Sequence, residues 1–310
     1  MAASTTGVTT AWNGAGVAFL DPKVLARIDD LELLARTVVE GFINGLHRSP
    51  YLGRSMDFAE HRAYMPGDDI RRIDWRVYGR TDRFYVKEFE ADTNANFSVL
   101  LDVSRSMAYG SGEVTKLDYG RYLAACLTYF SRQQRDRVGL VTFDRDVVTV
   151  VPPSAKHLER VLHEIARIEP GPGGALGPSL LRIAETLRRR SLLVVISDLY
   201  QEPDAVLHAV SRLKGKGNDV IVFHILDPAE LAFPFEDMML FEDLESGDRI
   251  PVVPDKQRER YRELMREHIT ALGRVLVDAR IDYALFETSK PLDFALFEYL
   301  SRRERLVRVR

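Results

Sequence analysis

The chain has 310 residues, of which 45% are hydrophobic and 29% charged, with acids and bases interspersed and a formal net charge of −3. That balance suits a soluble globular protein built on one large α/β domain, and it argues against a general polyanion binder. The single cysteine, Cys126, excludes a disulfide framework or a cysteine metal cluster within one chain, which fits a reducing compartment.

In chain order, residues 1–22 are small, polar and glycine-rich and are expected to form a disordered tail. They lack the basic and long apolar regions of a signal peptide, and no apolar run elsewhere approaches the ~20 residues of a membrane helix, so a cytoplasmic location with no membrane contact is expected. Asp29 and Asp30 then open a helix in which Leu31, Leu34, Ala35, Val38, Phe42 and Leu46 recur on one face. From His47 to Glu90, Arg and Asp alternate around the turn signal Pro66-Gly67-Asp68-Asp69. Residues 23–95 are therefore expected to be a helix followed by an Arg/Asp-rich arm packed on the core. Asp68, Asp69 and Asp74 would be ion-paired with Arg71, Arg72 and Arg76, and Trp75 would serve as a packing anchor.

From Asn96 the pattern becomes regular. Apolar strands are expected at 97–101, 138–143, 147–151, 192–196, 219–225 and 281–286, separated by helices near 117–133, 155–167, 178–190, 203–214, 255 onward and 291–301. Residues 227–254 break the rhythm and read as an insertion with a small hairpin; 302–310 read as a solvated basic tail rather than a nucleic-acid patch. Alternating strands and helices imply an α/β domain over 96–301 with a doubly wound, mostly parallel sheet and helices on both faces. In such sheets, ligands bind beyond the carboxyl ends of the strands, at the point where the strand order reverses.

Two strands end in chemically useful residues. Asp102-Val103-Ser104-Arg105-Ser106-Met107 follows the first strand, and alternate side chains there can converge. One carboxylate and two hydroxyls make a hard, all-oxygen set suited to Mg²⁺ or Mn²⁺. Spacing alone favours a plainer reading, with the serines capping the next turn. Ser197-Asp198-Leu199 ends the strand at 192–196, and Asp198 is a second carboxylate at the same edge, unless it too is only a turn residue. Between them lies Pro170-Gly171-Pro172-Gly173-Gly174-Ala175-Leu176-Gly177-Pro178-Ser179, which lacks the Lys-Ser or Lys-Thr of a phosphate loop.

The order Asp-x-Ser-x-Ser, a Gly-Gly loop, then an Asp at a later strand end resembles the metal-ion-dependent adhesion site of von Willebrand factor A-like domains. Gly67-Asp68-Asp69-Ile70-Arg71-Arg72-Ile73-Asp74-Trp75, then Val86-Lys87-Glu88-Phe89, then Leu100-Leu101-Asp102-Val103-Ser104-Arg105-Ser106-Met107 resembles the family of domains of unknown function numbered fifty-eight. That family is commonly linked to MoxR-type AAA+ ATPases. The resemblance implies that Ser104 and Ser106 ligate a divalent cation directly, that Asp102 and Asp198 support it, and that an Asp or Glu of a protein partner fills the open position. The threonine expected after the two glycines is Ala175 here, which removes one ligand oxygen. Ser179 lies too far along, inside the following helix, to replace it.

An adaptor or co-chaperone module is the function these features imply, with a metal-free scaffold binding partners through residues 47–90 as the alternative. Catalysis is not expected. Asp102 as a phosphatase nucleophile would want a second acid at position 104, which is a serine; the seven histidines are scattered; and there is no nucleophile elbow.

Overall fold

The computed structural model describes residues 22–48, 61–63, 78, 80, 83–87, 95–174, 176–187, 190–244, 247–296 and 298–299. The expected tail at 1–22 apart from Pro22, which starts a helix, the Asp/Arg network and Trp75, the residue Ala175 and the basic tail at 302–310 fall outside them. A short helix α1 (Pro22–Leu25) precedes α2 (Leu31–Arg48). The Oδ1 of Asp30 accepts the backbone N–H groups of Glu32 at 2.9 Å and Leu33 at 3.1 Å, satisfying donors that a helix start leaves unpaired. Strands β1 (His61–Ala63) and β2 (Tyr85–Lys87) then pair antiparallel.

The main sheet has six strands: β3 (Asn96–Asp102), β4 (Arg137–Phe143), β5 (Val147–Ser154), β6 (Ser191–Ser197), β7 (Asp219–Leu226) and β10 (Asp282–Glu287). Their spatial order is β10-β7-β6-β3-β4-β5, and every neighbouring pair is parallel except β4 with β5. The chain leaves β3 toward β4 and β5 on one side, then crosses to β6, β7 and β10 on the other. The order therefore reverses between β3 and β6, and the doubly wound, mostly parallel sheet is observed as the sequence implied.

Period-two alternation divides the core between the two faces. Phe97, Val99 and Leu101 of β3 and Val194 and Ile196 of β6 meet α2, α3 (Lys116–Gln133), α4 (Leu158–Ala166) and the side chains of Leu292, Ala295, Leu296 and Tyr299. Leu100 of β3 and Leu193 and Val195 of β6 meet α5 (Leu176–Thr186), α6 (Pro203–Lys214) and α8 (Pro254–Asp278) on the opposite face. Each Leu, Val or Phe removed from water contributes ~1.5–3 kcal/mol. Since Leu34, Ala35, Val38 and Val39 of α2 have no exposed surface, that helix is part of the core. The hydroxyls of Ser131 and Tyr299, 3.0 Å apart, tie the last helical turns to α3.

Between β7 and α8 lie a short helix α7 (Pro228–Ala232) and the antiparallel hairpin of β8 (Met239–Glu242) and β9 (Arg249–Val252). Phe233 stacks on Phe241 with ring centroids 5.5 Å apart and meets Tyr261 of α8 at 4.5 Å, which pins the hairpin to that helix. Among the described residues, no helix is long and apolar enough to cross a membrane.

Candidate functional site

The reversal point is bounded by the ends of β3 and β6. In the parallel register Leu101 sits beside Ile196, so the next pair along is Asp102 and Ser197. The Ser197 hydroxyl donates to Asp102 Oδ2 at 2.6 Å, and the backbone N–H of Ser104 donates to Asp102 Oδ1 at 2.9 Å. Both carboxylate oxygens are thus oriented, and the Ser104 hydroxyl adds a further bond to the same carboxylate. Only 6% of Asp102 is exposed. Burial, and then the charge of Asp198, push its carboxyl up to about 7, against the pull of its hydrogen bonds.

A single 3₁₀ turn at Arg105–Ala108 follows, and it brings the two serine side chains together: Ser104 Oγ and Ser106 Oγ are 3.1 Å apart. Ser104 makes no capping bond to that turn with its side chain, so the plain capping reading does not describe it. Ser104 is buried and Ser106 half-buried, which opens the pair toward solvent on the Ser106 side.

Asp198 reaches the same edge by a different route. It follows β6 by one residue, and alternation gives Ser197 the side facing Asp102. The Oδ2 of Asp198 instead accepts from the Lys116 ammonium at 2.8 Å, and that ammonium also donates to Glu230 Oε1 at 2.7 Å. Lys116 is wholly buried at the first turn of α3. Burial pulls its pKa down, but the two carboxylates more than offset this and leave it above the ordinary lysine value. Glu230 is raised as well, because burial outweighs its lysine. The cluster therefore holds Lys116 charged more firmly than it holds Glu230 ionised. The Tyr200 ring lies 4.7 Å from the ammonium and the Tyr109 ring 5.9 Å. Leu199 adopts a left-handed φ of 49°, and its carbonyl lies 3.1 Å from His268 Nε2.

Asp227 ends β7 in the same way. It accepts from the backbone N–H groups of Ser111 at 2.9 Å and Ala229 at 2.8 Å, while Glu230 accepts from the Asp227 N–H, which closes a capping box. The neighbouring His224 is fully buried with its Nδ1 2.8 Å from the Tyr283 hydroxyl, and burial, followed by His268, pulls it down to about 3.

The glycine-rich loop packs directly against this edge. The Gly171 N–H donates to the Val103 carbonyl at 2.6 Å. A Cβ on Gly171 would lie 2.3 Å from Asp144 Oδ2, and one on Gly174, at φ +156°, 2.2 Å from the Arg145 Cβ. Close approach to the end of β4 explains these glycines. The Ser179 hydroxyl donates to the Asp144 carbonyl at 2.6 Å from within α5.

The donor chemistry fits a hard cation. Two oxygens each ~2.1 Å from one Mg²⁺ and at right angles lie ~3.0 Å apart, close to the serine spacing. Ser104 and Ser106 would hold the ion, Asp102 would supply the adjacent negative charge, and waters would fill the remaining positions. Among the described residues no group of three or more His, Cys, Asp or Glu could hold a metal. Sequence reasoning placed Asp102, Ser104, Ser106 and Asp198 at one edge and missed Ser197, Lys116 and Glu230.

A profile of the family described as "Protein of unknown function DUF58" matches residues 60–271. Uncharacterized proteins of Mycobacterium tuberculosis and Mycobacterium bovis are 29% identical over 232 residues, which is 73% of this chain and 73% of theirs. Among solved structures, a conserved hypothetical protein BatB from Bacteroides thetaiotaomicron is 17% identical with a TM-score of 0.48, covering 68% of this chain and 99% of its own. The SpRpn10 VWA domain is 13% identical with a TM-score of 0.36, covering 65% of this chain and 92% of its own.

Proposed function

The chain belongs to the DUF58 family, and from that premise we propose that it is a metal-assisted protein-interaction module rather than an enzyme. The supporting observation is the pair of serine oxygens 3.1 Å apart beside the buried Asp102, at the reversal point of the sheet. A cation held there by neutral hydroxyls keeps positive charge, so a carboxylate from a partner protein is its natural last ligand. Ser104 and Ser106 act as the direct ligands; Asp102 orients and balances charge; Asp198 supports from the far side of the cluster.

With the MoxR-type association that the motif resemblance implies, the protein would be a cytoplasmic adaptor or co-chaperone presenting clients to an AAA+ ATPase. Calorimetry with Mg²⁺ or Mn²⁺ on the wild type and on Ser104→Ala/Ser106→Ala tests the cation. Heat that is absent from the wild type, or equal in both, sinks the metal reading. Affinity capture from native lysate tests the partner: recovery of a MoxR-type ATPase by the wild type and not by the double variant is expected. Equal recovery by both favours a metal-free scaffold.

A further inference from the structure

Lys116 has no counterpart in the Asp-x-Ser-x-Ser pattern. Its ammonium sits in the first turn of a helix, where the helix dipole disfavours positive charge, and it is removed from water entirely. Such a group is tolerable only with partners. It has Asp198 at 2.8 Å and Glu230 at 2.7 Å, with the Tyr200 ring close by. Asp198 is therefore already engaged by a fixed cation of the chain itself. Asp198 acts on Asp102 through its charge, so a divalent ion at Ser104 and Ser106 that drew on Asp198 would compete with that ammonium for the carboxylate and feel its repulsion.

Resting on the reading of Ser104 and Ser106 as cation ligands, we infer that Lys116 is a resident counter-charge that keeps Asp198 out of direct coordination, so that the site holds a bare divalent cation weakly and completes it with a partner's carboxylate. The same ammonium links the cation edge to α7 through Glu230, and Glu230 in turn holds the Asp227 N–H. Lys116 is thus a positioning residue: it acts on the ion through Asp198.

The probe is Mn²⁺, followed by its paramagnetic resonance on the full chain, with and without acetate as the simplest carboxylate. Lys116→Met is expected to bind Mn²⁺ ~10-fold or more tightly than the wild type, because it frees Asp198 and removes a repelling charge. Acetate should tighten Mn²⁺ binding in the wild type and add little in the variant. Lys116→Met/Asp198→Asn should fall back to wild-type affinity or below. If Lys116→Met does not fold, Lys116→Met/Glu230→Gln carries the same expectation, since it removes the other stranded carboxylate. A lysine with a purely structural role would lower stability without tightening Mn²⁺. Unchanged or weaker Mn²⁺ binding in a folded variant, with binding intact in the wild type, overturns the role of Lys116 and leaves the cation reading standing. Absence of Mn²⁺ binding in wild type and variants alike overturns both.

Discussion

His224 should make the protein acid-sensitive in a window set by its burial. The imidazole is held at about 3 against an ordinary 6.5. A depressed folded value means that the unfolded chain takes up the proton first. The contribution to stability is therefore complete above pH ~6.5 and is lost as pH falls toward ~3. The full shift of ~3.5 units corresponds to ~5 kcal/mol at ~1.4 kcal/mol per unit, and ~2 kcal/mol of it is already lost by pH ~5. The groups around the ring are the Tyr283 hydroxyl, His268, the Asp198 backbone and, farther off, Lys116; the Asp198 backbone bond favours the imidazolium, but burial outweighs it. His224→Asn keeps a polar group beside Tyr283 and removes the titration. Urea unfolding followed by circular dichroism at pH ~7.5 and ~5 reads the effect. The wild type should lose ~2 kcal/mol more than the variant over that interval. Since Asp102 titrates in the opposite sense, the difference between the two proteins is the measure, not either slope alone. Identical pH dependence in wild type and His224→Asn would refute the reasoning.

Asp102 supplies the converse case. Its folded carboxyl lies above its unfolded value, so its contribution is greatest at low pH and disappears as pH rises through the folded value. Asp102→Asn should therefore raise the melting temperature at pH ~8 in a chelator, with the gain shrinking toward pH ~4, and should abolish Mn²⁺ binding. Ser104→Ala/Ser106→Ala removes the hydroxyl pair together with the Ser104 hydroxyl's bond to Asp102, and should cost ~1–3 kcal/mol in chemical denaturation, so the binding tests are read on the folded variant. Gly174→Ala meets the Arg145 Cβ and should cost ~1–3 kcal/mol, whereas Gly112→Ala, with nothing within 4 Å of the added carbon, should be within ~0.5 kcal/mol of wild type in the same assay.

Much of this architecture was legible in the sequence because apolar strands announce their own ends. Leu192 to Ile196 and Phe97 to Leu101 are runs that only a doubly covered sheet explains, and they point to the residues just beyond them. What the runs could not give is which side of the edge each residue takes. Alternation sends Ser197 to Asp102 and lets Asp198 meet Lys116, so the partner of Asp102 was one position off the obvious acid. Lys116 was unreadable as a site residue because a lysine opening a helix resembles any solvated charge. The available signal was its place: it follows the N-cap Thr115, which forms a capping box with Asp118, so a cation stands where a helix prefers anions. The short helix α7 was not foreseen: residues 227–254 read only as an insertion with a hairpin, although Asp227 and Pro228 followed by Glu230 carry the signal of a helix start.

The order of strands also governs when the edge proposed to hold the cation can be assembled during synthesis. β3 is the first strand of the sheet to be made, yet it ends up between β4 and β6. Once β4 and β5 have emerged, one flank of β3 can be covered by local pairing. The other flank stays open until the chain has returned with β6, and Asp102 then gains Ser197. Glu230 arrives later still, so until α7 is made Lys116 has only Asp198 to balance it. The finished arrangement of this edge is therefore a late event with high contact order, and a nascent or truncated chain ending before α7 would carry the serine pair without its finished charge balance.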